Sequence, residues 1–394
     1  MKIQSLFLSL FVFIGLSGFA QDDLVRKVNE QSKDVDTRGY EFATEVDLSV
    51  LPVKNQASSG TCWSYATTSF IESEMLRMGK TPVDLSELFT VRQVYLDKAE
   101  RYVRLHGHLN FAQGGALPDI IYVLKKYGAV PDTVYKGLNY GEEKNKHGEV
   151  ESVLKGMLDA VIKNPNGRLS TAWKPAFTSA LDAYLGAFPE TFTYEGKTYT
   201  PREFADKVVG VNPDEYVQIT SFTHEEEYDE IFIDVPDNWA WGTSYNLPLD
   251  EMMDNLNHAL DNGYTVSWAT DVSEKGFSVR NGLGIVPAQP FDKMTREERR
   301  AIFESPVEEL DITPEIRQAA YDNYETTDDH GMHIVGRSVD QNGTKYYLVK
   351  NSWGDIKNPY KDGYIYCSEA YVRYKTISFL MHEDALIKKT RKKL

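Results

Sequence analysis

Apolar positions recur at helical spacing in three stretches early in the chain. From Cys62, the positions Tyr65, Ser69-Phe70, Met75-Leu76 and Met78 share a face, and Gly79 ends the run. Asp84-Leu85-Ser86-Glu87 opens a second helix through about Tyr102, with Leu88, Val91, Val94, Tyr95 and Leu96 on its apolar side. Pro118 opens a third, carrying Ile120, Ile121, Val123 and Leu124 and stopped by Gly128. The Gln113-Gly114-Gly115 stretch between the last two is a loop. Residues 131–215 keep helical spacing over 150–161 and 178–188 but are more polar, and Thr200-Pro201-Arg202-Glu203 opens a short helix. From Tyr216 the texture changes. Residues 217–219, 230–234 and 264–270 have strand character, with a helix over 249–260, and 294–324 is a charged helical or loop segment. Strands follow over 330–340, 345–351 and 363–367, the first two joined at Gln341-Asn342-Gly343-Thr344, a strong hairpin signal.

These patterns predict an α+β protein whose helical part precedes a β-rich part. The organisation expected is a helical domain over 46–130, a helical insertion over 131–215 and a β-rich domain over 216–394. Before them lie residues 1–20 and a polar extension over 21–45. The first carries Lys2, then an uncharged apolar run with Gly18 and Ala20 at the −3 and −1 positions. That is the pattern of a secretory signal peptide cleaved after Ala20, and it predicts export to a periplasmic or extracellular space rather than an N-terminal anchor. No other stretch is apolar enough to span a membrane, so stable membrane insertion is not expected. A net charge of −16 disfavours nucleic acid as a partner, because phosphate recognition needs a basic face.

With two cysteines, Cys62 and Cys367, an exported chain can form one disulfide or keep a working thiol. Cys62 stands at a helix start, where unpaired N–H groups and the helix dipole favour a thiolate. A thiol nucleophile also needs a base, a group orienting that base and an oxyanion hole. His330 and His333 compete for the base; three residues apart on one strand, they point to opposite faces. Asn351, ending the paired strand, can accept an imidazole N–H and fix its tautomer. Trp353 can shield such a bond or belong to the core. Gln56 and the Cys62 N–H can form the oxyanion hole. No group of His, Cys and acidic residues has metal-ligand spacing, so neither a metal nor an organic cofactor is expected.

Singly these signals are weak; together they resemble the papain-like cysteine peptidases. Pro52-Val53-Lys54-Asn55-Gln56…Gly60-Thr61-Cys62-Trp63 resembles the nucleophile motif. Asp329-His330-Gly331-Met332…Val335-Gly336 resembles the histidine motif and selects His330 over His333. Lys350-Asn351-Ser352-Trp353-Gly354 resembles the asparagine motif. The resemblance implies a two-domain fold with the site in the groove between. It makes Cys62 the nucleophile, His330 the acid and base, Asn351 the orienter and Gln56 the oxyanion donor. Gly114 and Gly115, with Trp353, would contact substrate. Where some members place a cysteine three residues before the nucleophile, this chain has Ser59, which leaves Cys62 without a nearby partner.

The separation of Cys62 from His330 is about twice that of a minimal papain-like enzyme. This resembles the bleomycin hydrolase / aminopeptidase C branch, as do Lys126-Tyr127-Gly128-Ala129-Val130-Pro131, Tyr245-Asn246-Leu247-Pro248, Ala269-Thr270-Asp271-Val272 and Met294-Thr295-Arg296-Glu297-Glu298-Arg299. That branch implies a cysteine aminopeptidase acting on peptides and assembling as homo-oligomers. In its aminopeptidases a C-terminal arm lies along the cleft, and its carboxylate receives the substrate amine. Here the arm is expected to be shortened, with a basic tail after Ile387, so an endopeptidase with an open cleft is the alternative reading. A binding protein that kept the fold without the chemistry is a third; the intact set Gln56, Cys62, His330 and Asn351 argues against it.

Overall fold

The helix Cys62–Arg77 runs through the middle of the molecule, buried from Cys62 to Met75. It lacks a polar face because it packs on the helices on one side and on the sheet on the other. The structure, a computed structural model, describes residues 39–394. The proposed signal peptide and most of the polar extension lie outside the described residues.

Around this helix stand Glu87–Arg104, begun by Ser86, whose Oγ accepts from the Phe89 N–H at 3.0 Å, and Asp119–Lys126. The helices His147–Ile162 and Trp173–Leu185 follow. Their apolar residues Val150, Leu154, Leu158, Phe177 and Leu181 join the same core as Phe70, Val91 and Val94. The expected helical stretch over 131–215 also contains a hairpin, Phe192–Tyr194 with Lys197–Tyr199. Its turn residues Glu195 and Gly196 both take positive φ. An Asn-Gly or Asp-Gly pair would have advertised that turn; Glu-Gly is a weaker signal.

The remainder is one large twisted sheet. Its central strands are β1 (Tyr216–Thr220), β2 (Val266–Thr270), β3 (His330–Val339), β4 (Lys345–Lys350), β5 (Tyr364–Ser368) and β6 (Thr376–His382). They run in the order β1-β6-β2-β3-β4-β5. The β3–β4 hairpin forms at the Asn-Gly turn. Strands beyond those expected include Ala43–Asp47, Thr243–Asn246, the short pair Phe277–Ser278 and Leu283–Gly284, and β6. β6 is buried at every position and sits between β1 and β2, so it shows no alternation. The apolar face of Leu249–Asp261 packs under the sheet in a second core with Trp268, Ile334, Val349 and Phe379. The N-terminal strand Ala43–Asp47 pairs with β3. The helical N-terminal region and sheet-rich C-terminal region together have the papain-like α+β architecture.

Strand register positions two residues of interest. His330 begins β3 opposite Thr270 of β2, and His333 faces Lys350 of β4. Continuing that antiparallel register sets Asn351 across from Met332, two residues from His330 and therefore on its face of the sheet.

Candidate active site

A cleft of about 470 Å³ separates the start of the Cys62 helix from the mouths of β2, β3 and β6. Cys62, Trp63, Gly114 and Gly115 line one wall; His330, Gly331, Ala269, Ile377 and Ser378 line the other.

On the helical wall Cys62 is the first residue of its helix, so its N–H has no intrahelical acceptor. The glycine loop is fastened to this helix start. Gln113 Oε1 accepts from Gly60 N at 2.7 Å, its backbone carbonyl accepts from Trp63 Nε1 at 3.1 Å, and its Nε2 donates to Glu151 at 2.9 Å. A Cβ on Gly115 would lie 2.7 Å from both the Trp63 indole and Asp119 Oδ2, so only glycine fits. Lys98, buried below, donates to the carbonyls of Ala112 and Gly114.

On the sheet wall His330 Nε2 donates to Asn351 Oδ1 at 2.8 Å, which leaves Nδ1 unprotonated in the neutral ring. That Nδ1 has no partner among the described residues. Ser352 N also donates to Asn351 Oδ1, at 2.7 Å, fixing the amide. Trp353 covers the imidazole with ring centroids 4.5 Å apart. It is buried and does not line the cleft. Gly331 lets the walls meet: a Cβ there would lie 3.1 to 3.3 Å from the backbone of Cys62 and Trp63. His333 faces away, with Nδ1 3.0 Å from Ser69 Oγ.

Gln56 is fully buried behind the helix start. Its Nε2 donates to the Ser59 carbonyl at 2.7 Å and its Oε1 accepts from Ser352 Oγ at 2.6 Å, tying the two walls together. It does not line the cleft. Thus Cys62, His330, Gly114 and Gly115 border one space, with Asn351, Trp353 and Gln56 in the layer behind.

Burial dominates the electrostatics. It pushes the Cys62 thiol up to about 12, opposed by hydrogen bonds from the Gly331 and Trp63 backbone and reinforced by Asp328 and Asp237. It lowers His330 to about 4, opposed by the Asn351 bond. Desolvation thus opposes the helix-start effect that favours a thiolate. Cys367 is a second free thiol, fully buried. Among the described residues no group of three His, Cys, Asp or Glu side chains could hold a metal ion, and no helix is long and apolar enough to cross a membrane.

Two cleft residues escape sequence reasoning as site residues. Asp328 sits beside His330, and Asp237 reaches the cleft from the segment after the strand Glu230–Phe232. No local pattern around Val235-Pro236-Asp237-Asn238 signals that it will meet Gly114.

Comparison with known proteins places this arrangement. Residues 184–394 match the Peptidase C1-like family, and residues 32–94 match the papain family of cysteine proteases. Aminopeptidase C of Streptococcus thermophilus is 22% identical, covering 90% of this chain and 86% of its own length. Aminopeptidase C of Lactococcus lactis subsp. cremoris is 23% identical, with 93% and 91% covered. Aminopeptidase E of Lactobacillus helveticus is 24% identical, with 85% and 84% covered. The crystal structure of PepW from Lactobacillus rhamnosis superposes with a TM-score of 0.70 at 18% identity, covering 96% of this chain and 88% of that one. The chain belongs to the Peptidase C1-like family of papain-like cysteine peptidases and is related to its aminopeptidase C / bleomycin hydrolase branch.

Proposed function

We propose that this chain is an exported cysteine aminopeptidase that releases N-terminal residues through a thiol acyl-enzyme. The observation that carries the reading is the His330–Asn351 hydrogen bond, which leaves an unpaired imidazole nitrogen on the cleft that Cys62 also borders. His330 Nδ1 takes the thiol proton as Cys62 Sγ attacks the peptide carbonyl. The Cys62 N–H stabilises the oxyanion, and Gln56 holds the helix start that presents it from the layer behind. The imidazolium then protonates the departing amine as the C–N bond breaks. Water, deprotonated by His330, releases the acyl group and restores the thiol. A peptide along Gly114 and Gly115 meets backbone without side-chain obstruction from those two residues.

Iodoacetamide tests the nucleophile. Labelling at Cys62 with parallel loss of peptidase activity is expected; unlabelled Cys62, or activity surviving Cys62→Ala, sinks the proposal. An endopeptidase reading draws on the tail. The helix Lys388–Arg391 packs on Leu249–Asp261, Thr390 bonding Glu251 and Asn255, and no residue beyond Ser378 lines the cleft. Comparable cleavage of N-acylated and free-amine peptides would establish it.

A further inference from the structure

Asp237 is the feature of the cleft that the proposed chemistry leaves without a task. Its Oδ1 accepts from Asn110 Nδ2 at 3.0 Å. Its Oδ2 lies 1.8 Å from where a Cβ on Gly114 would stand, so the carboxylate fills the space that glycine leaves open. The segment that brings it there is braced. Trp239 is buried and donates through Nε1 to Asp119 at 2.7 Å. The Asn238 side chain bonds the Ile233 carbonyl and both the N–H and carbonyl of Gly242. Asp237 is therefore held in place by the two residues that follow it in the chain.

Asp328 supplies a second carboxylate to the same cleft and makes no hydrogen bond or ion pair among the described residues. Lys98 donates to the carbonyls of Ala112 and Gly114 and forms no ion pair with either carboxylate, although its charge reaches Asp237. Burial raises both acids, and Asp328 reaches about 8 with the charges of Asp237 and Asp271 adding to it, whereas Lys98 and the Asn110 bond oppose the rise at Asp237. Two acids in a confined space, of which only Asp237 has a cation acting on it, favour a cationic occupant. The same space also holds the unpaired, buried Nδ1 of His330, so an occupant of the cleft reaches both the carboxylates and the proposed base.

We propose that Asp237, seconded by Asp328, receives the α-ammonium group of the substrate, so that this chain selects free N-termini with side chains of its own and independently of its tail. The proposal rests on the peptidase reading of the cleft. The ammonium donates to Asp237 Oδ2 and to Asp328, while the peptide carbonyl beyond it reaches Cys62. A blocked amine would bury an unpaired carboxylate against an amide, which costs affinity.

The test compares aminoacyl coumarylamides of all side chains with their N-acetylated forms, on wild type, Asp237→Asn and Asp328→Asn. Wild type is expected to favour the free amine at least 100-fold in kcat/KM. Asp237→Asn should reduce that ratio at least tenfold, mostly through KM for the free amine, and Asp328→Asn should reduce it less. Asparagine keeps the volume and the Asn110 contact; Asp328→Asn serves if the first variant does not fold. A wild-type ratio near one, or a ratio unchanged in both variants, overturns the proposal. Calorimetry of leucyl-leucinamide on Cys62→Ala separates the two claims. Binding weakened by Asp237→Asn, with no hydrolysis by wild type, keeps the amine site and removes the peptidase. Hydrolysis without dependence on either aspartate does the reverse.

Discussion

The two walls of the cleft are made in different ways. The helical wall is local: Cys62, its helix start and the loop holding Gly114 and Gly115 lie within one short region, joined by Gln113. The sheet wall is assembled from distant pieces, since β6, β2, β3 and β4 must pair before His330 and Ser378 share a border with Asn351 behind them. A local wall is specified by motif and fails by crowding. An assembled wall is specified by register, and a slip of one residue would turn His330 away from the cleft.

Substitutions can break the comparison. Cys62→Ala should lower peptide turnover by roughly 10³-fold or more while leaving thermal unfolding nearly unchanged, because a small side chain at a helix start is well tolerated. Matched kinetics and calorimetry check both halves. Asn351→Ala should lower kcat by roughly 100-fold, because His330 then loses the acceptor that sets its tautomer. Little change in KM, with a shifted pH–rate profile, would mark an orienting role; an unchanged profile would make the contact merely structural.

Crowding tests the other wall. Gly115→Ala places a methyl against Trp63 and Asp119 and should destabilise by about 1–3 kcal/mol, read as a lower thermal midpoint with weakened turnover. The smallest effect sharpens the contrast between two histidines. Burial lowers both His147, under the helical wall, and His330 to about 4 from an ordinary 6.5. Below pH 6.5 the unfolded chain takes up a proton that the folded one refuses, so stability present at neutral pH is lost as pH falls. His147 has neither ring nitrogen bonded among the described residues. His147→Leu should therefore lose about 2 kcal/mol less than wild type between pH 7 and pH 5, measured by denaturant titration. Equal losses would place the acid sensitivity elsewhere.

Legibility from sequence follows the same divide. Cys62 at a helix start, the Asn-Gly hairpin and the spacing of His330 to Asn351 are short-range patterns; the structure places Cys62 and His330 at the cleft and Asn351 directly behind it, with the hairpin turn at the far end of β3 and β4. What escapes is set by tertiary contact. β6 has no alternation because both its faces are covered, and the Phe192–Tyr199 hairpin turns on Glu195, a residue uncommon at positive φ. The meeting of Asp237 with Gly114 depends on Trp239 finding Asp119, a contact that no window of neighbouring residues contains.

The seam behind the cleft has a mechanical consequence. Gln56 links Ser59 to Ser352, Asn55 bridges Trp353, and the Lys350 ammonium reaches both the Leu51 carbonyl and Ser69 on the central helix. These cross-ties span the boundary where the two halves would otherwise rotate apart. The groove therefore keeps a fixed width, and the two halves should melt together in one cooperative transition.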